Sequence, residues 1–385
     1  MLNQSRDLDQ VLRGLDAHLE RIQEQGRESE AVSLLYWAEE QLQRVQKPQP
    51  AHCALWGNIC QRMGADRVAD PFLRALAFYE KALEGYENAQ ELEGLAIVHN
   101  NMGLAYMGLA QGDADNYRSA IPLLEKALHF YEVGDDWPRR ADICLSLGEA
   151  YAGLEEPGLD RFELAREYLE RSRALYERSG DPIGQAQAQG QLGDVHMQLV
   201  VEDRQAALER AIRHYRNALV LFAEQDEEGW ASAHYQERLA RAYLRFGEEE
   251  HLRKSLRSAQ RANQLYEKLD QIPALAGICL FQGQVYLDLA QLGAEEELLS
   301  AFKEFDRALG LYGKIGNQSG RADCLASLAQ IYLSSEDATQ AVDLRQALEC
   351  LEEALAIYEL EDRPDAVAEI KERLDQARHF ADGFG

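Results

Sequence analysis

An aromatic residue recurs about every 45 residues along most of this chain, and that period constrains the fold more than any other feature of the sequence. The successive steps are 45, 45, 46, 44, 46 and 46 residues. The aromatic column consists of Tyr86, Tyr131, Tyr176, Phe222, Tyr266, Tyr312 and Tyr358. Because aromatic residues make up only 8% of the sequence, seven of them at one spacing indicate an internal structural repeat.

Small residues accompany each aromatic residue at helical spacing. Four residues before it stand Ala82, Ala127, Ser172, Ala218, Ala262, Ala308 and Ala354. Seven residues earlier again stand Ala75, Ala120, Ala165, Ala211, Ser255, Ala301 and Ala347. Intervals of four and seven place the three columns on one face of an α-helix, so we expect that face to be buried.

A second set of columns predicts another helix in each repeat. Its small residues are Gly57, Gly103, Gly148, Gly193, Ala240, Gly283 and Ala329. Seven residues before most of them stands an alanine, and three residues after them stands a tyrosine in five of the seven repeats. Because glycine inside a helix costs about 1 kcal/mol relative to alanine, its recurrence predicts close helix packing. We expect the neighbouring tyrosine to supply the large buried ring of that contact.

Prolines fall where helices are expected to begin, since a first-turn proline loses no helical hydrogen bond. Those at the first helices of the pairs or at the final helix are Pro50, Pro138, Pro182, Pro273 and Pro364. Pro71 and Pro122 are expected to begin second helices.

The two helical motifs resemble those of the tetratricopeptide repeat (TPR) family. MGLAY (102–106), LGEAY (147–151), LGDVH (192–196) and LARAY (239–243) resemble the first-helix motif, and AFYEKALEGYE (77–87) and ECLEEALAIYE (349–359) the second. The usual unit is about 34 residues, so this chain is similar to long-repeat members such as kinesin light chains. The resemblance implies an all-α, right-handed superhelical solenoid of about eight helix-turn-helix pairs plus a C-terminal capping helix.

The repeats predict one continuous solenoid with three parts. Residues 1–47 are expected to form a degenerate N-terminal capping pair, because a terminal unit needs only one stacking face. Residues 48–361 are expected to form seven TPR-like repeats, and residues 362–385 a C-terminal capping helix and tail.

The resemblance also implies a concave groove, lined by first helices, that binds a partner. The residues expected to face it are Asn58, Asn100, Leu104, Glu149, Asp194, His234, Glu237, Arg241, Arg245, Gln284, Asp288 and Gln330. Their amides, charges and leucine suit an extended peptide or a helical segment. Ordinary solvent-facing side chains would give the same pattern, so both interpretations stay open.

Charge narrows the choice of partner. The chain has 67 acidic and 40 basic side chains and a formal net charge of −27, which disfavours nucleic acid and anionic membrane. A basic or mixed-charge polypeptide fits better, although an acidic surface also serves solubility. The family's clamp for the carboxylate tails of Hsp70 and Hsp90 uses cations where this chain has Ala54, Asp142 and Ser146, so those tails are not expected to bind.

The sequence contains no catalytic or cofactor motif. It lacks H-E-x-x-H, a Walker-type phosphate loop, G-x-G-x-x-G and G-x-S-x-G, so we expect neither an enzyme, nor a cofactor, nor a metal site. Cys53, Cys144 and Cys279 share one repeat position and are expected to pack as small apolar residues. No apolar leader and no stretch of membrane-spanning length is apparent, which predicts a cytoplasmic protein.

These observations predict a non-catalytic protein–protein interaction scaffold that binds a peptide or helical segment in its groove. A self-assembling structural repeat protein is one alternative, since open-ended solenoids can associate. A peptide-sensing bacterial regulator is another. The repeats begin so near the N-terminus that little room remains for the helical bundle such regulators carry.

Overall fold

A computed structural model describes residues 48–63, 70–109, 114–155, 158, 160–199, 203–225, 229–334 and 340–383, together with Ser33, Tyr36, Trp37 and Glu40. The capping pair predicted over residues 1–47 falls outside these residues apart from a few positions, so it stays a prediction.

The described residues form fifteen α-helices and one short 3₁₀ helix, with no β-strand among them. The first helices of the pairs are α1 (Pro50–Met63), α3 (Leu92–Leu109), α5 (Trp137–Gly153), α7 (Pro182–Gln198), α9 (Trp230–Leu244), α11 (Ile272–Gln291) and α13 (Gln318–Leu333). The second helices are α2 (Pro71–Ala89), α4 (Asp115–Tyr131), α6 (Asp160–Ser179), α8 (Arg204–Glu224), α10 (Glu249–Lys268), α12 (Leu298–Ile315) and α14 (Gln340–Leu360). A last helix, α15 (Pro364–Gly383), packs on α14.

Each first helix packs on the second helix that follows it, and the predicted all-α fold of helix pairs is confirmed. The chain divides into two compact units, unit 1 up to Gln191 and unit 2 from Leu192. In unit 1 and in unit 2 alike, the small and aromatic columns of the second helices are buried.

Glycine brings the two helices of a pair together. A Cβ atom added to Gly57 would lie 2.3 Å from Cε1 of Tyr79, and one added to Gly283 would lie 2.5 Å from Cε1 of Phe305. Real Cβ atoms do not come this close to other heavy atoms. Only glycine therefore permits this distance between the helix backbones at these positions.

The large partner in this contact was predicted wrongly. It comes from the second helix, as Tyr79, Leu124, Leu169, Tyr215 and Phe305, and not from the tyrosine three residues after the glycine. Those first-helix tyrosines, of which Tyr151 is one, are only half-buried. Three residues turn a helix by about 300°, so the tyrosine points to one side of the seam that its glycine forms.

At Tyr86, Tyr176 and Tyr312 the aromatic column joins one pair to the next. The ring of Tyr86 in α2 lies against Gly94 in α3, and that of Tyr312 in α12 lies against Gly320 in α13. A Cβ atom added at these glycines would come within 2.4 and 2.5 Å of the rings. The 45-residue aromatic period thus follows from a contact made between successive pairs.

Pro122 does not begin a second helix as expected but lies inside α4, which starts at Asp115. An interior proline removes one backbone hydrogen bond and costs about 3 kcal/mol. Pro122 is exposed, so water can hydrate the backbone carbonyl that loses its partner. Pro122 therefore lies in the helix that was predicted, but not in its first turn.

One helix meets the length and composition of a membrane span, contrary to the sequence-based expectation. This helix is α11 (Ile272–Gln291), and more than half of its apolar window is buried within the protein. Its Ala276, Cys279 and Val285 are fully buried in a cluster with residues of α10 and α12. The apolar composition of α11 is accounted for by its place between neighbouring helices.

The cysteines pack as predicted. Cys53, Cys144 and Cys279 are buried, and all six thiols are free. Burial raises the pKa of Cys144 to about 11 and that of Cys279 to about 12. These thiols therefore stay protonated at neutral pH.

The glycine contact predicts opposite effects for two Gly→Ala substitutions in one helix pair. Gly283→Ala should lower the free energy of unfolding by about 1–3 kcal/mol, because its methyl group meets the ring of Phe305. Gly310→Ala in α12 should raise it by about 0.5–1 kcal/mol, because no atom lies within 4 Å of the added Cβ atom and alanine favours the helix. Urea unfolding of both variants measures the difference, and equal effects would contradict the packing argument.

Candidate partner-binding faces

Two sets of predicted groove residues lie on first helices, one set in each unit. We call Asn58, Asn100, Leu104 and Glu149 the unit 1 face. We call Asp194, His234, Glu237, Arg241, Arg245, Gln284, Asp288 and Gln330 the unit 2 face. Whether these residues contact a partner stays a prediction.

Amide side chains link α1 to α3 on the unit 1 face. The hydroxyl of Tyr79 donates to Oδ1 of Asn58 at 2.7 Å, and Nδ2 of Asn101 donates to the same oxygen at 2.9 Å. Nδ2 of Asn100 donates to Oδ1 of Asn101 at 3.3 Å. The oxygen of Asn58 therefore accepts two internal hydrogen bonds, whereas the oxygen of Asn100 accepts none from the residues that the structure describes.

Leu104 and Glu149 are exposed on the unit 1 face. Burial raises the pKa of the Glu149 carboxyl group, and a hydrogen bond with the Gln191 side chain partly offsets this. An exposed carboxylate with a raised pKa lies among protein atoms that displace part of its water.

A cavity of about 220 Å³ lies beside Asn100, between α3 and α5. We call it the α3–α5 cavity. It is lined by Ile97, Asn100, Asn101, Tyr131, Arg139, Asp142 and Ile143. The hydroxyl of Tyr176 donates to Oδ1 of Asp142 at 2.5 Å, and burial raises the pKa of this carboxyl group.

On the unit 2 face, Asp194 serves the packing of its own pair. The hydroxyl of Tyr215 donates to Oδ1 of Asp194 at 2.7 Å, and Nε of Arg238 lies 3.7 Å from the same oxygen. Tyr215 is almost fully buried against Gly193. The carboxylate therefore satisfies a phenol that packing has brought into the core.

Glu237 and Arg241 form an ion pair on α9. Nη2 of Arg241 donates to Oε1 of Glu237 at 2.8 Å, and the hydroxyl of Tyr266 donates to Oε2 at 3.0 Å. The Arg241 guanidinium also lies 5.0 Å from the centre of the Phe281 ring. Both charges are thus already paired within unit 2.

His234 and Arg245 complete the α9 part of this face. The His234 ring stacks on the exposed Trp230 at 4.7 Å, and its Nε2 lies 3.3 Å from Nε of Arg238. Burial, and then the charge of Arg238, lower the pKa of His234. Arg245 follows the last residue of α9 and is exposed, and its backbone carbonyl accepts from Nη2 of Arg204 at 2.8 Å.

Gln284 and Asp288 form a pair one helical turn apart on α11. Nε2 of Gln284 donates to Oδ1 of Asp288 at 2.7 Å. Burial raises the pKa of Asp288, and this hydrogen bond partly offsets the shift. Gln330 on α13 is half-buried.

The sequence analysis did not predict which residues form hydrogen bonds to the side chains of these two faces. Tyr79 and Tyr215 belong to second helices, and their hydroxyls donate hydrogen bonds to Asn58 and Asp194. Arg238 stands four residues after His234, a spacing that could have indicated their contact. Within the described residues, no group of three or more His, Cys, Asp or Glu side chains could hold a metal ion.

Comparisons of sequence identify no relative. No protein-family model matches the chain, and no curated protein matches it significantly.

Comparisons of structure show the fold. A Rap protein complexed with competence and sporulation factor has 13% identity and a TM-score of 0.53, covering 98% of this chain and 97% of the other. Aspartyl phosphate phosphatase F from Bacillus subtilis has 11% identity and a TM-score of 0.52, covering 96% and 94%. BtubC (BKLC) from P. vanneervenii has 19% identity and a TM-score of 0.50, covering 64% and 92%.

The chain is a TPR-like helical-repeat protein by its fold. The pairwise packing of its helices and the repeated glycine and aromatic contacts agree with that class. At these low identities the likeness establishes the fold and leaves the partner open.

The bond between Tyr215 and Asp194 predicts a stability effect that Tyr312, another buried tyrosine of unit 2, does not share. Tyr215→Phe should lower the free energy of unfolding by about 1–2 kcal/mol, because a hydrogen bond to a charged group is lost. Tyr312→Phe in the same unit should change it by less than about 0.5 kcal/mol, since its hydroxyl has no hydrogen-bond partner among the described residues. Urea unfolding compares the two, and an equal loss would contradict this role of Asp194.

The raised pKa of Asp288 predicts a pH-dependent stability with a defined sign. A carboxyl group whose pKa is higher in the folded than in the unfolded state stabilises the fold at acidic pH, and that contribution is lost as pH rises through the folded pKa. Asp288→Asn should therefore gain stability relative to the wild type as pH rises from acidic to neutral. Glu250, whose pKa Lys254 lowers, should show the opposite trend in Glu250→Gln. Unfolding by urea across this pH range tests both, and parallel trends would contradict the assignment.

Proposed function

We propose that this chain is a non-catalytic interaction protein that binds a peptide or a helical segment of another protein on its first-helix faces. The observation that carries the proposal is the unit 1 face, where Asn100, Leu104 and Glu149 are partly or fully exposed and Asn100 lines the α3–α5 cavity. Amide, apolar and carboxylate groups on two first helices that contact each other suit a peptide, which needs backbone hydrogen bonds and a few anchors.

Chemistry at these faces has little support. The carboxylates of Asp142, Asp194 and Glu237 each accept a hydrogen bond from a tyrosine, which is a structural use of a carboxylate. Burial raises the pKa of the cysteine thiols, which disfavours them as nucleophiles. Binding explains the arrangement with fewer assumptions than catalysis.

The charge favours a basic or mixed-charge polypeptide as the partner. The formal net charge of −27 attracts cationic segments and repels nucleic acid and anionic lipid. On the unit 2 face Arg241 pairs with Glu237, and Arg238 of the same helix lies 3.7 Å from Asp194, so these four charges largely cancel and the net charge of the chain decides. Tails that end in a carboxylate, such as those of Hsp70 and Hsp90, remain poor candidates.

The Rap structure supports a peptide as the ligand by analogy. That protein was solved in complex with competence and sporulation factor, and its fold matches nearly the whole of this chain. The likeness extends only to the fold. It therefore supports peptide binding as a kind of function and does not identify the peptide.

A peptide-sensing regulator is the second candidate, because the likeness to the Rap protein and to aspartyl phosphate phosphatase F spans 98% and 96% of this chain. Such a regulator needs a second protein whose binding changes when the peptide binds. A plain scaffold lacks that dependence.

Self-association is a weaker candidate. The last described helix, α15, packs on α14 through Ile370 and Leu374 and leaves polar side chains such as Glu372 and Gln376 exposed. A polar outer face is what a capping helix uses to prevent stacking of a further unit. We also propose a cytoplasmic location, which the six free thiols support.

The proposal predicts that partner recovery depends on the first-helix faces and not on the second helices. Asn100→Ala with Glu149→Ala should reduce recovery of a specific partner from the native host about 10-fold, as expected when two polar contacts are lost. Arg245→Ala with His234→Ala tests the unit 2 face in the same way. Glu84→Ala with Glu167→Ala, at exposed positions of second helices, is the control.

Quantitative mass spectrometry of the captured proteins measures the effect. Recovery unchanged in both face variants, or reduced equally in the control, would contradict the first-helix faces as the binding surface.

A further inference from the structure

The α3–α5 cavity is small and bounded by side chains of a single unit. Its volume of about 220 Å³ is below the roughly 300–1,000 Å³ of sites that hold a whole small molecule. It therefore has room for one side chain of a larger ligand, and an extended partner on the unit 1 face would pass its entrance at Asn100.

The cavity has both apolar and polar walls, and its polar residues are Asn100, Asn101, Arg139 and Asp142. Ile97, Ile143 and the ring of Tyr131 supply hydrocarbon surface. Such walls suit the methylene stem of a long side chain, whose charged head needs polar partners. The cavity thus combines a place for a stem with a place for a polar end.

Two acceptors at the cavity retain unused capacity. Tyr176 donates to Oδ1 of Asp142, whereas Oδ2 accepts no hydrogen bond from a described residue. Asn100 donates through Nδ2 to Asn101, and its Oδ1 accepts none. Both are oxygen atoms, so a ligand group that satisfies them must be a donor.

The local charge is negative. Asp136 and Asp181 add to the negative potential at Asp142, and Arg139 is the one basic residue of the lining. Nη1 of Arg139 already lies 3.4 Å from Oδ2 of Asp136. Within the lining Asp142 and Arg139 balance, and the carboxylates of Asp136 and Asp181 outside it make the potential at Asp142 more negative, which favours a cation.

We propose that the α3–α5 cavity binds the cationic side chain, arginine or lysine, of the partner polypeptide, with the carboxylate of Asp142 and the amide oxygen of Asn100 as its acceptors. The inference rests on the proposed function and deepens it, since it names the chemistry of one anchor. Charge-assisted hydrogen bonds of this kind are shorter and stronger than neutral ones.

Other side chains fit less well. A carboxylate would meet the charge of Asp142 at close range. An aliphatic side chain would displace water from Asp142 and Asn100 and leave both oxygens without a donor, which costs more than the contact returns. A basic side chain is the class that satisfies the walls and the acceptors together.

The experiment selects peptides on the full chain and then tests one charge. Random peptides displayed on phage are selected on the wild-type protein, and a selected peptide is labelled for fluorescence anisotropy. We expect one basic position to recur among the selected peptides. Replacing that residue with citrulline, for arginine, or norleucine, for lysine, should weaken binding to the wild type about 10-fold or more.

Asp142→Asn supplies the matching change in the protein. Its amide can still accept from Tyr176, so the fold is retained and thermal unfolding checks this. In this variant the neutral peptide and the basic peptide should bind with nearly the same affinity.

Asp323→Asn is the control. Asp323 holds the equivalent position in α13, where the hydroxyl of Tyr358 donates to its Oδ1 at 2.6 Å and Arg363 lies 3.6 Å away. This variant should keep the wild-type preference for the basic peptide.

The outcomes separate the inference from the proposed function. Selected peptides without a recurrent basic position would overturn the inference and leave peptide binding intact. A penalty for the neutral peptide that is the same in Asp142→Asn and in the wild type would do so too. If no peptide is enriched at all, peptide binding is refuted, and the assignment of the cavity falls with it.

Discussion

The close approach of paired helices at a glycine is the contact on which the rest of this structure depends. At Gly57 and Gly283 a ring of the second helix occupies the space in which a Cβ atom would stand. The contact sets the distance between the two helices of a pair, and hence the position of every side chain that leaves the seam. Packing density in protein cores makes such a distance hard to change without loss of stability.

Burying rings in this way creates a secondary demand, because several of the rings carry a hydroxyl. Tyr79, Tyr176 and Tyr215 bring phenols close to first helices, where each donates to an amide or a carboxylate. A buried donor without an acceptor would be costly. Acidic and amide side chains on the first helices therefore accept hydrogen bonds from these tyrosines. Only the rest of their hydrogen-bonding capacity is available to a partner.

Because these side chains also bind tyrosines of the second helices, the two faces differ in how many hydrogen-bond acceptors remain for a partner. On the unit 2 face, Glu237 is engaged by both Arg241 and Tyr266. At the α3–α5 cavity beside the unit 1 face, Asn100 and Asp142 each keep an oxygen that accepts no hydrogen bond from a described residue. A partner that brings a donor satisfies groups that the fold itself leaves unsatisfied.

The sequence by itself determined the helix pairs, because intervals of four, seven and 45 residues can be read without coordinates and report burial directly. It predicted the buried columns and the tight glycine contact correctly. It could not determine which side chain fills the glycine space, because Tyr79 and Phe305 reach it from another helix. Nor could it separate Asn58, whose oxygen accepts from Tyr79, from Asn100, whose oxygen accepts from no described residue, since hydrogen bonds between residues distant in sequence arise only when the helices pack.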